Sequence, residues 1–199
     1  AAWQGGADEI EFDVQLSLEG IPVLCHDDTT DRTSNLAGPT AGFSAAQLQR
    51  ADIFVPGGAV ARTLGFTLFE DVLSFFGGRI GMNIHVKSGV DASPVLEILQ
   101  RSDFLRTSKH SVYIAGDGPV LETAMRLAPG LPRCCLAESK DPDRLLENAT
   151  IYQCQRLQFR RNLYTSEHIK TALGRGLIPN LYYADDPAEA QAAIEQGII

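Results

Sequence analysis

Two acidic residues near the start of the chain have the spacing of a metal site. Glu11 and Asp13 lie in the run EIEFDVQL, whose alternation of polar and apolar residues predicts a half-buried β-strand. Side chains two positions apart on a strand point to the same face, so the two carboxylates would lie side by side. A divalent cation relieves their mutual repulsion, and carboxylate oxygens are the ligands that Mg²⁺ and Ca²⁺ prefer.

A histidine on the returning strand is the candidate for proton transfer. A turn centred on Leu18 and Glu19 predicts an antiparallel hairpin that places His26 opposite Glu11, with a slip of one residue as the alternative. Imidazole titrates near neutral pH and can act as a general acid or base. From the spacing alone, an exposed hairpin face with a purely structural histidine is an equally good interpretation.

Composition restricts the classes of protein to which the chain can belong. Its 199 residues and 44% hydrophobic content suit a single globular domain, residues 1–199. A net charge of −8 disfavours a nucleic-acid partner, and no apolar run reaches the length of a membrane span. The four cysteines lack CxxC spacing and lie in apolar runs, which indicates buried free thiols and a reducing, cytoplasmic location.

Strand-like and helical patterns alternate along the rest of the chain. Mostly apolar strands that are each followed by a helix predict an α/β fold with a parallel sheet covered by helices. The helix start signals are Thr67, Asp91, Ser166 and Asp186-Pro187. The predicted strands are Ile80–Lys87, Ser111–Asp117, Pro132–Glu138, Ile151–Phe159 and Leu177–Ala184, with a last strand that starts at Gly197–Ile199.

The position of the polar residues favours a closed barrel over an open sheet. No GxGxxG follows a first strand, and the candidate site residues lie on strands or at strand ends. A TIM (β/α)8 barrel takes about 250 residues, so we expect the barrel to be incomplete at both ends of this chain. The long stretch Leu36–Phe66, with its PGG, predicts a loop insertion after the hairpin that covers one end of the site.

Several segments together resemble the glycerophosphodiester phosphodiesterase family of bacterial type. Its signature of an acid-x-Asp pair, a hairpin, a His-Asp pair and an Arg-Thr is similar to the run ADEIEFDVQLSLEGIPVLCHDDTTDRTSN. Its Pro-Thr-Leu-x-Glu helix start resembles GFTLFEDVL, and its Asn-Ile-Glu-Ile-Lys strand resembles MNIHVK. Its penultimate strand and following helix are similar to GLIPNLYYADDPAEAQAAIEQGI. Matches in the right order along the chain are more specific than any one motif.

The resemblance implies a fold, a reaction and residue roles. The fold would be a TIM barrel of the phosphatidylinositol-phospholipase-C-like type. The reaction would be metal-dependent hydrolysis of a small glycerophosphodiester to an alcohol and glycerol 3-phosphate. Glu11 and Asp13 would be metal ligands, and His26 would donate a proton to the leaving alcohol. Lys87 would neutralise phosphate charge, and Tyr182 would pack on the glycerol.

One departure from the family pattern concerns the metal. His85 stands where the family has a third acidic ligand, and it shares a strand face with Lys87. An imidazole weakens the binding of Mg²⁺ or Ca²⁺ and favours Zn²⁺, Mn²⁺ or Fe²⁺. We therefore expect His85 to be a ligand in a site of altered metal preference. A packed, hydrogen-bonded structural histidine is the alternative.

A second departure concerns the His-Arg-Gly motif of the family's first strand, which the sequence does not contain. Because that motif carries the family's other catalytic histidine, we expect the 199-residue polypeptide alone to be inactive. Two alternative functions stay open. One is a phospholipase D or sphingomyelinase-like enzyme on the same barrel, and the other is a pseudoenzyme that binds a phosphodiester without cleaving it.

Overall fold

The computed structural model describes residues 2–54, 60–61, 64–102, 110–136 and 140–199. Strands and helices alternate in this part of the chain, which confirms the predicted α/β class. The chain forms two compact units, Ala1–Val112 and Tyr113–Ile199. That residues 1–199 make a single domain stays a prediction.

The first unit is built around its opening strand, β1 (Glu9–Leu16). The short strand β2 (Pro22–Leu24) pairs with one edge of β1 in antiparallel orientation, and β5 (Gly81–Val86) pairs with the other edge in parallel. The further elements of the unit are α1 (Ala45–Gln49), β3 (Ile53–Phe54), β4 (Val60–Ala61), α2 (Phe69–Phe76) and α3 (Ser93–Arg101), with 3-10 turns at Trp3–Gly5 and Thr40–Gly42.

The opening hairpin confirms the predicted antiparallel pairing but not its register. Ser17 and Ile21 face each other across three turn residues, and the pairing continues to Val14 opposite Leu24. The turn has one residue more than predicted because Gly20 adopts φ +78°, a left-handed conformation that glycine tolerates and that closes three-residue hairpin loops. Glu11 is therefore displaced by one position from the predicted pairing with residue 26.

The insertion after the hairpin has secondary structure and a small core. Leu48, Ala51 and Phe66 pack against Val23 and Cys25, so these residues of the insertion are seated on β2 and the segment that follows it. The turn of the hairpin is tied to the same insertion, because Glu19 Oε2 accepts a hydrogen bond from the backbone N–H of Ala45 at 3.0 Å. The PGG sequence lies outside the described residues, and the role of the insertion as a cover stays a prediction.

The second unit is a run of parallel strands, each followed by a helix. Its strands are paired in chain order: β6 (Val112–Gly116) with β7 (Arg133–Leu136), β7 with β8 (Arg156–Arg160), and β8 with β9 (Ile178–Tyr182). The helices are α4 (Gly118–Leu127), α5 (Pro142–Ile151), α6 (Ser166–Gly174) and α7 (Pro187–Glu195). Parallel neighbours require a crossover connection, and these helices supply it.

Aspartates begin three of these helices. Asp117, Asp141 and Asp186 each accept hydrogen bonds from backbone N–H groups of the first turn, and each is followed by a proline in that turn. Such residues satisfy donors that have no partner within the helix. The predicted start of α7 at Asp186-Pro187 is confirmed, whereas α6 is capped by Thr165 instead of Ser166. The residue before α2 is Leu68 instead of Thr67, and it makes no side-chain capping hydrogen bond.

Two predicted strands differ from the structure. The segment Ile151–Phe159 was predicted as one strand, but β8 begins at Arg156 and Ile151 is the last residue of α5. Apolar residues with helical spacing are hard to distinguish from strand alternation over so short a stretch, and the turn at Gln153, with φ 49°, separates the two elements. Gly197–Ile199, where the last strand was predicted to start, is not assigned as a strand. Its Ile199 N–H nevertheless donates a hydrogen bond to Pro179 O at 2.9 Å.

The predicted state of the thiols is confirmed. Cys25, Cys134, Cys135 and Cys154 are all buried and free, as predicted. Within the described ranges, no helix combines the length and the apolar character that a bilayer crossing requires.

A buried arginine holds the loops at the start of β7 and β8. Arg133 is 3% exposed, and its guanidinium donates to the backbone carbonyls of Pro129, Leu131, Tyr152 and Gln153 at 3.0 to 3.2 Å. A buried charge is tolerated when its donors are satisfied, and here one side chain ties together four backbone carbonyls of two loops.

Replacement of Arg133 by methionine keeps the apolar stem and removes the donors. We expect the free energy of unfolding to fall by roughly 3 kcal/mol or more, because hydrogen bonds from a charged donor are each worth about 1.5 to 3 kcal/mol and four of them are lost. Chemical denaturation followed by circular dichroism measures the change. Arg126→Met, at an exposed position of α4, is the control and should alter stability by less than about 0.5 kcal/mol. Equal stability of Arg133→Met and wild type would contradict this role.

Candidate metal and proton-transfer site

The two acids of β1 meet a histidine and a lysine of the neighbouring strand. The parallel register places Glu11 beside Asn83 and Asp13 beside His85. Because side chains on both strands alternate with a period of two, the acids and His85 share one face of the pair, and Lys87 follows two positions later. The predicted grouping of Glu11 with Asp13 and of His85 with Lys87 is what the structure contains.

The contacts within this group are those of a charged cluster. His85 Nδ1 lies 2.8 Å from Asp13 Oδ1 and 3.8 Å from Glu11 Oε1. Lys87 Nζ donates to Asp13 Oδ1 at 3.3 Å. The side chain of Asp13 is 14% exposed and that of Glu11 is 47% exposed, so Asp13 is enclosed by its partners and Glu11 reaches solvent.

Burial and charge act differently on the two carboxylates. Desolvation, and after it repulsion from Asp13, raises the pKa of Glu11 above its ordinary value. Desolvation also acts to raise the pKa of Asp13, but the hydrogen bond with His85 and the charge of Lys87 outweigh it, so that this pKa is lowered. Asp13 is thus the ionised member with two basic partners, and Glu11 is the member whose negative charge is least compensated.

The donor set suits a divalent metal ion. One ligand atom from each of Glu11, Asp13 and His85 can be chosen so that all three lie within 4.8 Å of one another. With metal–ligand bonds of about 2.0 to 2.6 Å, two ligand atoms of one ion lie no farther apart than twice the bond length, about 4.0 to 5.2 Å, so this separation is compatible with a shared ion. Asn83 occupies the same face of β5, and its Oδ1 atom is buried without a hydrogen-bond partner among the described residues. Two carboxylates, an imidazole and an unpaired amide oxygen therefore face one region.

His26 lies just beyond β2, where it is held by an ion-paired aspartate. His26 Nδ1 is 2.6 Å from Asp27 Oδ1. Arg32 binds the same carboxylate in a bidentate manner, with Nε at 2.6 Å from Oδ2 and Nη2 at 3.0 Å from Oδ1. The hydrogen bonds from Arg32 and His26 lower the pKa of Asp27 well below its usual range. Asp27 therefore stays ionised and orients the imidazole, which leaves Nε2 as the ring nitrogen for proton exchange.

A small polar cavity connects His26 with the lysine of the acid cluster. It has a volume of about 310 Å³ and is lined by Gln15, His26, Asp27, Asp28, Lys87 and Ser88. His26 does not pair with residue 11, but it shares the cavity wall with Lys87, which contacts Asp13. The cavity is thus bordered by a histidine and a lysine, with the acid cluster beside it.

Tyr182 lies in the second unit, at the end of β9. Its side chain is 52% exposed, and its ring meets that of Tyr183 edge to face with centroids 5.1 Å apart. An exposed aromatic residue at the carboxyl end of a parallel strand agrees with the predicted binding role without testing it. Its contact with a glycerol group stays a prediction.

Gln15, Asn83 and Asp27 belong to the site although the sequence analysis did not identify them. Gln15 and Asn83 continue the alternation of the acids and of His85, so the period of two would have indicated both. Asp27 gave a weaker signal, since a His-Asp dipeptide has no fixed geometry and the contact depends on the turn after β2.

Comparison with known proteins finds relatives of this chain. The glycerophosphodiester phosphodiesterase of Caldanaerobacter subterraneus subsp. tengcongensis is 33% identical over 97 residues, which cover 48% of this chain and 40% of that protein. A Bacillus subtilis glycerophosphodiester phosphodiesterase is 26% identical over 214 residues, which cover 96% of this chain and 72% of the relative. The matches to the Caldanaerobacter protein and to one from Bacillus altitudinis span only about 40% of each relative's length.

Solved structures show the fold. The glycerophosphodiester phosphodiesterase of Agrobacterium tumefaciens superposes with a TM-score of 0.80 at 21% identity, over 99% of this chain and 84% of that one. An Oleispira antarctica phosphodiesterase in complex with the product sn-glycerol-3-phosphate gives a TM-score of 0.83 at 21% identity. The match covers 99% of this chain and 81% of that one. The predicted α/β fold of the TIM-barrel type is thereby confirmed. The sequence model of the glycerophosphoryl diester phosphodiesterase family matches residues 1–199 of this chain. The chain therefore belongs to that family.

Proposed function

We propose that the protein is a metal-dependent hydrolase that cleaves glycerophosphodiesters to an alcohol and glycerol 3-phosphate. The single observation that carries this proposal is the meeting of Glu11, Asp13 and His85, with ligand atoms within 4.8 Å of one another, beside the cavity lined by His26 and Lys87. Family membership and the glycerol 3-phosphate product in the Oleispira enzyme support the substrate class. Release of glycerol 3-phosphate from glycerophosphocholine and glycerophosphoethanolamine, with several divalent metals, tests it.

Glu11, Asp13 and His85 would hold the metal ion. When bound there, a divalent metal supplies positive charge to the non-bridging oxygens of the phosphodiester. Lys87 adds a second positive charge on the same side, since its Nζ atom donates to Asp13 and the residue also lines the cavity. Mg²⁺ or Ca²⁺ would follow from the family, whereas His85 favours Zn²⁺, Mn²⁺ or Fe²⁺ over those hard cations.

His26 would protonate the leaving alcohol. Its side chain is 61% exposed, so a substrate can reach it, and the ionised Asp27 keeps the ring in one orientation. Arg32 holds Asp27 in turn, which makes the histidine the end of a chain of three paired side chains. Tyr182 would pack against the glycerol. The attacking nucleophile is either water or the neighbouring glycerol hydroxyl, and the site residues are compatible with both.

A non-catalytic, phosphodiester-binding protein is the second candidate. The observation that favours it is His85, which takes the position of an acidic ligand and pairs with Asp13 at 2.8 Å. A less negative site would bind a hard cation more weakly and could retain the anion-binding role of Lys87 alone. The four free thiols support the predicted cytoplasmic location for either candidate.

Asp13→Asn removes the carboxylate that both His85 and Lys87 contact. We expect hydrolysis by the protein expressed from its complete coding sequence to fall at least roughly a hundredfold, because the metal loses a charged ligand and phosphate loses charge compensation. Binding of Mn²⁺ to the 199-residue chain, measured by titration calorimetry, should weaken in parallel. Asp71→Asn, at an exposed position of α2, is the control and should leave both quantities unchanged. Unaltered Mn²⁺ affinity in Asp13→Asn would count against the site.

His85→Glu tests the altered metal preference. A third carboxylate raises the negative charge of the site, so we expect affinity for Mg²⁺ and Ca²⁺ to rise roughly tenfold and the preference for Zn²⁺ over Mg²⁺ to shrink. Elemental analysis of the purified variant beside wild type, followed by calorimetric titration with each metal, measures both effects. The same metal content and the same affinities in the two proteins would mean that His85 is a structural residue only.

Asp27→Asn tests whether the aspartate positions His26. We expect kcat for glycerophosphocholine to fall roughly tenfold with little change in KM, because the imidazole loses its orienting partner. A phosphodiester with a p-nitrophenol leaving group needs no protonation and should lose much less activity. Asp71→Asn again serves as the unaffected variant. Equal losses with the two substrates would indicate a structural defect and not a role in proton transfer.

A further inference from the structure

A cavity in the second unit is lined by residues of α5 and of the segment after α6. Its volume is about 690 Å³, which is within the range of pockets that hold small molecules. None of the residues that line it belongs to the candidate metal and proton-transfer site. The lining includes Glu147, Ala149 and Thr150 of α5, Cys154 of the following turn, and Arg175 and Leu177 before β9.

Three apolar residues form the floor of the cavity. Ala149 is fully buried, and Cys154 and Leu177 are each 7% exposed. All three belong to one buried cluster together with Leu157 and Ile169, so the cavity borders the core of the unit. An aliphatic group that contacts this apolar floor is removed from water, which favours its binding.

Arg175 is held at the cavity by the end of α6 and by α5. Gly176 adopts φ +74°, a left-handed conformation that turns the chain immediately after the helix. The Nη1 atom of Arg175 donates to Leu146 O at 3.0 Å and to Thr150 Oγ1 at 3.4 Å. Within the described ranges, its Nε and Nη2 atoms have no protein partner. The guanidinium is therefore fixed from one side and retains donors for an anionic group.

Glu147 supplies a charge of opposite sign. Glu147 and Thr150 are three positions apart on α5, so their side chains are neighbours on one helix face, with Cβ atoms about 5 to 6 Å apart. Glu147 is exposed, and its carboxylate pairs neither with Arg175 nor with another side chain in the part of the chain that the structure describes. A cation and an anion thus border the same cavity without neutralising each other.

These features together restrict the chemistry of a ligand. A carboxylate can accept two hydrogen bonds from one guanidinium, and an ammonium group can pair with Glu147. Thr150 contacts Arg175 and is adjacent to Glu147, so the two charges suit a compact zwitterion. An α-amino acid carries both groups on one carbon, together with a side chain for the apolar floor. A phosphate ester or a simple carboxylate would pair with Arg175 but would be repelled by Glu147.

We propose that this cavity is a binding site for a free α-amino acid with an aliphatic side chain. Arg175 binds the carboxylate, Glu147 binds the ammonium group, and the apolar floor contacts the side chain. The amino acid is not a substrate of the hydrolysis proposed above, and the inference does not rest on that reaction.

Matched ligands test the proposal on the unmodified 199-residue chain. Titration calorimetry with L-leucine should show saturable binding at one site. Glycine lacks the side chain, 4-methylpentanoate lacks the ammonium group and L-leucinamide lacks the carboxylate, so each should bind at least roughly tenfold more weakly. The absence of saturable leucine binding overturns the proposal. Equal affinity for leucine and 4-methylpentanoate also overturns it, since the site would then recognise an anion only.

Two variants assign the charges. Arg175→Gln and Glu147→Gln should each weaken leucine binding at least roughly tenfold, whereas Glu147→Gln should strengthen the binding of 4-methylpentanoate because a repulsive charge is removed. A loss of structure would weaken the binding of both ligands, and circular dichroism verifies the fold. Arg126→Gln and Glu122→Gln, at exposed positions of α4, are the controls and should leave leucine affinity unchanged. Wild-type leucine affinity in Arg175→Gln or in Glu147→Gln overturns the proposal.

Discussion

The repulsion between two carboxylates on one strand face is the constraint on which the candidate site depends. Asp13 is stabilised as an anion by His85 and Lys87, whereas burial and the neighbouring charge of Asp13 disfavour ionised Glu11. The residues of the cluster therefore compensate the negative charge of Asp13 but leave that of Glu11 less compensated. The parallel register of β1 and β5 maintains this asymmetry, because a slip of one residue would turn His85 and Lys87 to the opposite face.

Local periodicity explains how much of this could be predicted from sequence. The pairing of Glu11 with Asp13, and of His85 with Lys87, requires only that each segment be a strand, since the period of two is a property of the extended backbone. The meeting of the two pairs depends on the neighbour of β1 in the sheet, which periodicity does not specify. The resemblance to a family supplied that step, and the register between Asp13 and His85 agrees with it.

Other features depended on contacts that leave no regular pattern. The hairpin register changed because Gly20 takes a left-handed conformation, so the turn has three residues, and a Glu-Gly sequence is compatible with turns of either length. The segment before β8 alternates like a strand but contains the end of α5 and a turn held by Arg133, which is distant in sequence. The ion pair of Asp27 with Arg32 likewise depends on the conformation of the turn after β2, and residue types alone do not indicate it.

Because His85 already pairs with Asp13, the metal affinity of the site depends on two sets of contacts. These are the contacts that the ion makes and the contacts within the cluster that it displaces. Its Nδ1 atom is close enough to hydrogen-bond with Asp13, and Lys87 binds the same oxygen, so the carboxylate already has two partners. A metal ion held by these ligands would replace part of that pairing, and its binding free energy would be reduced by the interactions it displaces. A glutamate at position 85 could offer no such hydrogen bond as an anion. His85→Glu would therefore make the donor set harder and would also make the metal-free cluster less stable. Both changes favour the binding of hard cations.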